Sequence, residues 1–239
     1  MKPPRWACAP DVPSIGPGDL HVWRAWLEPP AAELDGYWRT LSVDERQRAA
    51  YHHHARHQRR FVAGRGVLRE VLGRYLRLDP GRIVFRYGPY GKPELASTEG
   101  PPLHFSVAHS GPVAVYALTR DARAGIDVER IRHDVPHRDI AARFFARDEC
   151  RALDALAEPA RTTFFFVCWT QKEAVGKAVG EGLGFSLRPL VVGDTATASA
   201  WWLHSFAAAP GYVASVAAHG RPATVTYWHR DRSSVRALR

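Results

Sequence analysis

Two acidic side chains occupy alternate positions in the segment Gly125-Ile-Asp-Val-Glu129. In a β-strand alternate residues share a face, so Asp127 and Glu129 lie together while the apolar residues between them point into the core. Two carboxylates on one face repel each other unless a cation compensates them, and oxygen ligands of this kind suit Mg²⁺. Taken alone, the pattern is explained better by an edge strand whose acids pair with Arg130 or Arg132.

A second segment, Trp169-Thr-Gln-Lys-Glu-Ala-Val-Gly-Lys177, places an acid and a base on one face of a predicted helix. Glu173 and Lys177 are four residues apart, which is the spacing that brings side chains together along a helix. Gly176 and Gly180 lower helix stability but would let a ligand approach the backbone closely. Taken alone, this segment is explained better by an ordinary surface ion pair.

The charge balance predicts an anionic partner. Lys and Arg total 33 against 24 Asp and Glu, a net charge of +9, and the stretch from Arg46 to Arg74 holds eight arginines, four histidines and one acid. Such a surplus attracts nucleic acid, phosphorylated ligands or an acidic protein, although a basic run is usually a solvated helix face. Only four residues are lysine. Of these, Lys92, Lys172 and Lys177 stand out, because an ammonium group can exchange a proton and a guanidinium cannot.

Length and composition limit the class of protein. The 239 residues allow one large domain or two small ones, and 46% hydrophobic with 24% charged residues is typical of a soluble globular protein. No apolar run is long enough to cross a membrane, and the N-terminus does not resemble a secretory signal. Three cysteines without metal-type spacing argue against a disulfide scaffold or a structural zinc site. We therefore expect a cytoplasmic protein with no membrane partner.

The hydrophobic pattern predicts an α+β fold built from two similar halves. Ser42 and Glu45 have the spacing of a capping box at a helix start. A helix followed by a hairpin-like pair of strands occurs twice, and Leu203–Ala218 repeats several residues of Leu103–Leu118. We expect two α/β lobes related by a pseudo-two-fold axis, covering residues 1–120 and 121–239, with the active site at their interface. The predicted elements are strands at 20–27, 83–87, 103–107, 113–118 and 124–129, and helices at 60–78 and 164–179.

With these motifs in this order, the chain resembles the 4′-phosphopantetheinyl transferases of the larger, two-lobed (Sfp-type) class. The acidic strand and the lysine-containing helix about forty residues further on carry the resemblance together, and neither would do so alone. Further matching motifs are Tyr90-Gly-Lys-Pro93, Phe105-Ser-Val-Ala-His-Ser-Gly111, Phe144-Phe-Ala-Arg-Asp-Glu149 and the continuation of the helix motif to Leu183.

The resemblance implies transfer of 4′-phosphopantetheine from coenzyme A to a serine of an apo acyl or peptidyl carrier protein, with release of adenosine 3′,5′-bisphosphate. It implies Mg²⁺ held by Asp127, Glu129 and Glu173, where it would stabilise charge as the pyrophosphate bond breaks. Lys177 would contact the phosphate at which charge develops. Glu173, directly or through a metal-bound water, would accept the serine proton, and Glu149 is a second candidate for this role.

The resemblance also implies a set of coenzyme A ligands. By the family pattern, Arg60 would bind the 3′-phosphate, with Arg48 as a weaker suggestion, and Lys92 and His109 would bind phosphate. The position before this histidine is often serine in the family and is Ala108 here, so the corresponding contact would come from the backbone or from Ser110. Lys177 belongs to the same set.

Two other function classes remain open. One is a nonenzymatic RNA-binding protein that uses the basic stretch 46–74, although no single-strand recognition module is evident. The other is a coenzyme-binding paralogue without turnover, against which the complete set of acids and lysines argues. If the protein is a transferase, we expect it to be a monomer that binds no nucleic acid and serves secondary metabolite biosynthesis. The surplus positive charge would speed its encounter with an acidic carrier protein.

Overall fold

The computed structural model of the chain describes residues 1–96, 100–180 and 201–230. Within these ranges the strands are β1 (Ala7–Cys8), β2 (Asp19–Trp26), β3 (Phe85–Tyr87), β4 (Pro93–Leu95), β5 (His104–Ser110), β6 (Val113–Thr119), β7 (Ala124–Arg130), β8 (Trp201–Ala209), β9 (Tyr212–His219) and β10 (Thr224–His229). The α-helices are α1 (Ala31–Thr40), α2 (Val43–Ala50), α3 (Ala55–Leu76), α4 (His137–Phe144), α5 (Arg147–Ala155) and α6 (Ala160–Val179). A short 3₁₀ turn spans Pro80–Arg82.

A larger sheet has the strand order β1-β10-β2-β6-β5 within the described part of the chain. Strand β6 is buried at every position, and its side chains alternate between two cores. Tyr116 and Leu118 join the apolar faces of the helices α1 and α3, whereas Val115 and Ala117 face the second sheet. A strand buried on both faces explains the continuous apolar run from Val113 to Leu118 in the sequence.

A smaller sheet has the order β7-β9-β8, and helix α6 packs against one of its faces. Its other face shares a core with the larger sheet, to which Ile126, Val128 and Phe206 contribute. The layers therefore run helices, sheet, sheet, helices. This arrangement confirms the α+β class, while a two-fold relation between the halves stays a prediction.

The last described strand returns to the larger sheet. Strand β10 pairs in parallel with β2 and with β1, so residues 224–229 complete the sheet of the N-terminal half. Just beyond it, Arg230 is buried between helices α1 and α3, where its guanidinium pairs with Glu33 and with Glu70. The division of the chain into two lobes at residue 120 stays a prediction. Strand β10 belongs to the second half by sequence but pairs with strands of the first half.

Several local expectations are confirmed with shifted ends. The capping box is present, since the backbone amide of Ser42 donates to Glu45 Oε2 at 3.0 Å. Helix α3 starts at Ala55, five residues before the predicted start at Arg60. Strand β5 continues through Ser110, because Gly111, with a φ of 57°, and Pro112 alone close the turn to β6. His109 and Ser110 are therefore strand residues and not part of a loop. Leu183 lies outside the described residues.

Candidate active site

Three carboxylates meet between strand β7 and helix α6. The predicted alternation is confirmed, because Ile126 and Val128 are buried in the core between the sheets while Asp127 and Glu129 face the other way. Asp127 is paired in register with Ser215, on the face of the smaller sheet that helix α6 covers. Helix α6 brings Glu173 to this face.

The three acids influence one another's pKa values. Burial raises the pKa of Glu173, and the charges of Asp127 and Glu129 raise it further. Burial also raises the pKa of Glu129, an effect that a hydrogen bond from Ser110 opposes and the charge of Asp127 reinforces. Asp127 is the most deeply buried of the three, and its pKa is raised by burial although the Lys177 ammonium acts in the opposite direction. The structure thus gathers the three acids that the sequence singled out.

Lys177 supplies one compensating charge. Its Nζ lies 2.7 Å from Asp127 Oδ1. Two carboxylate oxygens nearby, Asp127 Oδ2 and Glu173 Oε1, are buried and have no hydrogen-bond partner among the described residues. Because a buried oxygen without a partner is costly, the cluster has capacity for a further cation.

The chemistry of this donor set fits a hard divalent ion. All three side chains offer oxygen ligands, and Mg²⁺ is bound in proteins by one or two carboxylates together with water and substrate phosphate. Within residues 1–96, 100–180 and 201–230, no three His, Cys, Asp or Glu side chains already form a ready metal-ligand group. Asp127, Glu129 and Glu173 stay the predicted ligands of Mg²⁺.

A positively charged cavity of about 250 Å³ lies between helix α3, strand β5 and the β3–β4 hairpin. Its lining includes Arg48, Arg60, Arg65 and His109. The guanidinium of Arg48 lies 3.8 Å from the centre of the Tyr87 ring. Arg65 is fixed by Glu45, whose Oε1 is 2.7 Å from Arg65 Nε. Fixed guanidinium groups around a partly apolar cavity suit a ligand with a flat ring and phosphates.

Strand β5 joins the cavity to the acid cluster, because His109 lines the cavity and its neighbour Ser110 donates to Glu129 Oε2. Burial lowers the pKa of His109, and the next largest cause is the positive charge of Lys177, followed by that of Arg60. Arg60 donates to Glu28 Oε1 at 2.6 Å, and its side chain is only 13% exposed. The charge of Lys177 thus acts on a residue of the cavity lining. Three predicted phosphate ligands, Arg48, Arg60 and His109, line one cavity.

Lys92 and Ser110 take other positions. Lys92 Nζ donates to the carbonyl oxygen of Lys177 at 2.6 Å, near the C-terminal end of helix α6, where a cation is favoured by the helix dipole. Lys92 lines a separate cavity of about 470 Å³. Ser110 binds Glu129 instead of lining the cationic cavity, since its Oγ donates to Glu129 Oε2 at 2.8 Å.

Glu149 is held in a buried ion pair. Its Oε2 lies 2.9 Å from Lys172 Nζ and accepts the Ala146 amide at 2.7 Å. Lys172 is fully buried, so this pair joins helix α5 to helix α6. Lys172 stands out in the sequence because lysine is rare in this chain, but no motif in the sequence indicates that its partner is Glu149. Of the two candidate bases, Glu173 lies among the other acids, whereas Glu149 lies beside Lys172.

Comparison with known proteins assigns this arrangement to a family. A model described as "4'-phosphopantetheinyl transferase, N-terminal" matches residues 24–120, and one described as "4'-phosphopantetheinyl transferase superfamily" matches residues 123–216. The chain is 35% identical to "4'-phosphopantetheinyl transferase HetI" of Nostoc sp., over 94% of this chain and 98% of that protein. The chain belongs to the 4′-phosphopantetheinyl transferase family.

Two further relatives match smaller parts. The "4'-phosphopantetheinyl transferase psf-1" of Bacillus pumilus is 36% identical over 54% of this chain and 53% of its own length. The human "L-aminoadipate-semialdehyde dehydrogenase-phosphopantetheinyl transferase" is 29% identical over 69% of this chain and 56% of its own length. The family predicted from the motifs is thereby confirmed. No helix in the described ranges combines the length and apolar character that crossing a bilayer requires.

Proposed function

We propose that this protein transfers 4′-phosphopantetheine from coenzyme A to a serine hydroxyl of an apo acyl or peptidyl carrier protein. The observation that carries the proposal is that strand β5 joins a cationic cavity to the acid cluster: His109 lines the cavity, and the next residue, Ser110, donates to Glu129 Oε2 at 2.8 Å. A nucleotide in the cavity would place its diphosphate at the acids, where metal ions and phosphates commonly meet. The RNA-binding alternative receives no support from the family comparison.

In the proposed reaction the serine oxygen attacks the phosphorus that bears the pantetheine arm. The bond from this phosphorus to the bridging oxygen breaks, and adenosine 3′,5′-bisphosphate leaves. Arg60, Arg48 and His109 bind the nucleotide phosphates, and Lys177 stabilises charge on the reacting diphosphate. Mg²⁺ bound to the three carboxylates would supply further charge stabilisation.

Glu173 is the proposed acceptor of the serine proton. Burial and the neighbouring acids raise its pKa, which makes the carboxylate a stronger base than an exposed glutamate. Glu149 stays the second candidate, and its use would require release from Lys172 Nζ, 2.9 Å away.

We also propose a cytoplasmic monomer of two lobes, divided near residue 120, that serves secondary metabolite biosynthesis. The net charge of +9 favours fast association with acidic carrier proteins. Because salt screens this long-range attraction, the rate of association with the carrier protein is expected to fall as the salt concentration rises.

The proposed function is tested by measuring the mass of carrier proteins after incubation with the enzyme. Incubation of the protein with coenzyme A, Mg²⁺ and a panel of apo carrier proteins is expected to add about 340 Da to at least one carrier, the mass of the transferred group on its serine. Intact-protein mass spectrometry measures the addition, and a carrier with its serine replaced by alanine is the control. Absence of the addition from every carrier in the panel would contradict the proposal.

Arg60 offers a test of nucleotide binding. Arg60→Ala is expected to raise KM for coenzyme A about tenfold or more, because a charge-assisted bond to the 3′-phosphate is lost. With 3′-dephospho-coenzyme A the variant and the wild type are expected to have similar KM values. Steady-state kinetics with both substrates measures the difference.

Arg56→Ala is the matched control. Arg56 binds the same Glu28 oxygen at 3.1 Å, but its side chain is 69% exposed and does not line the cavity. Its KM for coenzyme A is expected to stay near the wild-type value. Equal effects of the two variants would show that Arg60 acts through Glu28 and not through the nucleotide.

A further inference from the structure

Ser110 connects the two sheets at the acid cluster. Its Oγ donates to Glu129 Oε2 at 2.8 Å and accepts the backbone amide of Arg130 at 3.1 Å. Ser110 is the last residue of strand β5, and Glu129 is near the end of strand β7 in the other sheet. One hydroxyl therefore fixes both the strand and a carboxylate of the neighbouring sheet.

The alternation of strand β5 explains why this serine faces the acids. Phe105 and Val107 pack in the core on the helix α3 side, and His109 continues this face into the cationic cavity. Ser106 and Ser110 point to the opposite face, toward strand β7. Adjacent strand residues point to opposite sides, so His109 and Ser110 serve different sites.

The bond to Ser110 restricts the conformation of the Glu129 side chain. A glutamate has several rotatable bonds, and the charges of Asp127 and Glu173 favour conformations of Glu129 that point away from them. A hydrogen bond from a neutral hydroxyl to a carboxylate oxygen opposes this movement.

We propose that Ser110 is a positioning residue: it holds Glu129 beside Asp127 and Glu173 for binding of a divalent cation and is not itself a ligand of coenzyme A. This inference rests on the proposed function for the identity of the site.

Ser106 provides a matched control. Its Oγ also bridges strand β5 to strand β7, by accepting the amide of Ile126 at 3.1 Å. Both hydroxyls accept a backbone amide, but only Ser110 Oγ also binds a carboxylate among the described residues. Ser106→Ala therefore removes a hydrogen bond between strands β5 and β7 but leaves the carboxylates of the acid cluster with their partners.

The experiment compares full-length wild type, Ser110→Ala, Ser110→Thr and Ser106→Ala. Binding of Mn²⁺ to the protein alone is measured from the signal of the free ion in electron paramagnetic resonance. Kinetics give KM for coenzyme A and the Mg²⁺ concentration for half-maximal turnover. Ser110→Ala is expected to weaken Mn²⁺ binding about tenfold and to raise the half-saturating Mg²⁺ concentration similarly, with KM for coenzyme A unchanged. Ser110→Thr, which keeps a hydroxyl, and Ser106→Ala are expected to bind Mn²⁺ as the wild type does.

The opposite pattern would overturn the inference. If Ser110→Ala raises KM for coenzyme A and leaves both metal measurements unchanged, Ser110 is a ligand of coenzyme A. If Ser110→Ala and Ser106→Ala weaken Mn²⁺ binding equally, the bond to Glu129 has no special role. Ser110→Cys replaces Ser110→Ala if the latter does not fold, because a thiol of similar size donates weakly. Wild type that binds Mn²⁺ but modifies no carrier would overturn the proposed function and leave the positioning role supported.

Discussion

Asp127→Asn is expected to lower turnover at least about 100-fold while the protein stays folded. The substitution keeps the shape of the side chain and removes the negative charge that we assign to cation binding. Losses of this size are typical when a group that stabilises the charge of a transition state is removed. Turnover is measured from the rate of mass addition to a carrier protein at saturating coenzyme A and Mg²⁺.

The stability of this variant is expected to be equal to or greater than that of the wild type. Burial raises the pKa of Asp127 even with Lys177 opposite, so its ionised form costs free energy in the folded state at neutral pH. The folded wild type binds this proton more tightly than the unfolded chain does. Its stability relative to Asp127→Asn should therefore rise as the pH falls through the raised pKa. Urea unfolding at several pH values measures the difference.

Two variants complete the comparison. Lys177→Ala is expected to lose turnover as well, but to lower the free energy of unfolding, because three carboxylates are left without the ammonium group. Asp154→Asn makes the same chemical change in an exposed pair with Arg138 and is expected to keep both activity and stability. Wild-type turnover in Asp127→Asn, or a large loss in Asp154→Asn, would contradict the assignment of the site.

Gly125→Ala is expected to destabilise the protein by about 3 kcal/mol or more and to abolish transfer. A Cβ atom at this position would lie 1.9 Å from the carbonyl oxygen of Ala174 and 2.5 Å from the amide nitrogen of Ala178. Both are backbone atoms of helix α6 and cannot rotate away. The helix would have to move off strand β7, which separates Glu173 and Lys177 from Asp127.

Gly36→Ala is the matched control for this prediction. A Cβ atom at Gly36 has no neighbour within 4 Å among the described residues, and the residue lies inside helix α1. Alanine there is expected to be neutral or to stabilise by up to about 1 kcal/mol, because alanine has the higher helix propensity. Thermal and urea unfolding compare the two variants. Gly125→Ala with wild-type stability would contradict the close approach of helix and strand.

Much of the site follows from short-range patterns. Alternation along strand β7 is enough to put Asp127 and Glu129 on one face, because the direction of a side chain in a strand depends on its position alone. The spacing of Glu173 and Lys177 fixes their shared helix face in the same way. The capping box at Ser42 is local too, since both of its partners lie within one turn.

Other assignments needed knowledge of where a strand ends. The predicted strands at 103–107 and 113–118 leave His109 and Ser110 to the connecting segment, and this interpretation allows both to serve one ligand. The structure extends strand β5 through Ser110, and the extra residue sends the two side chains to opposite faces. The end of a strand depends on pairing with its neighbour, here with Val113 of strand β6, and such pairing is not visible in a single segment.

Sequence by itself determined the family and the α+β class and predicted the acids and the lysine of the cluster, because the residues within each motif are near one another along the chain. Tertiary structure alone decided which partner each charged group has. Lys92 binds the end of helix α6, 85 positions away; Glu149 is paired with Lys172; and strand β10 returns to the first sheet. A long charged side chain can reach several partners, and only the packing of distant elements brings one of them within hydrogen-bonding distance.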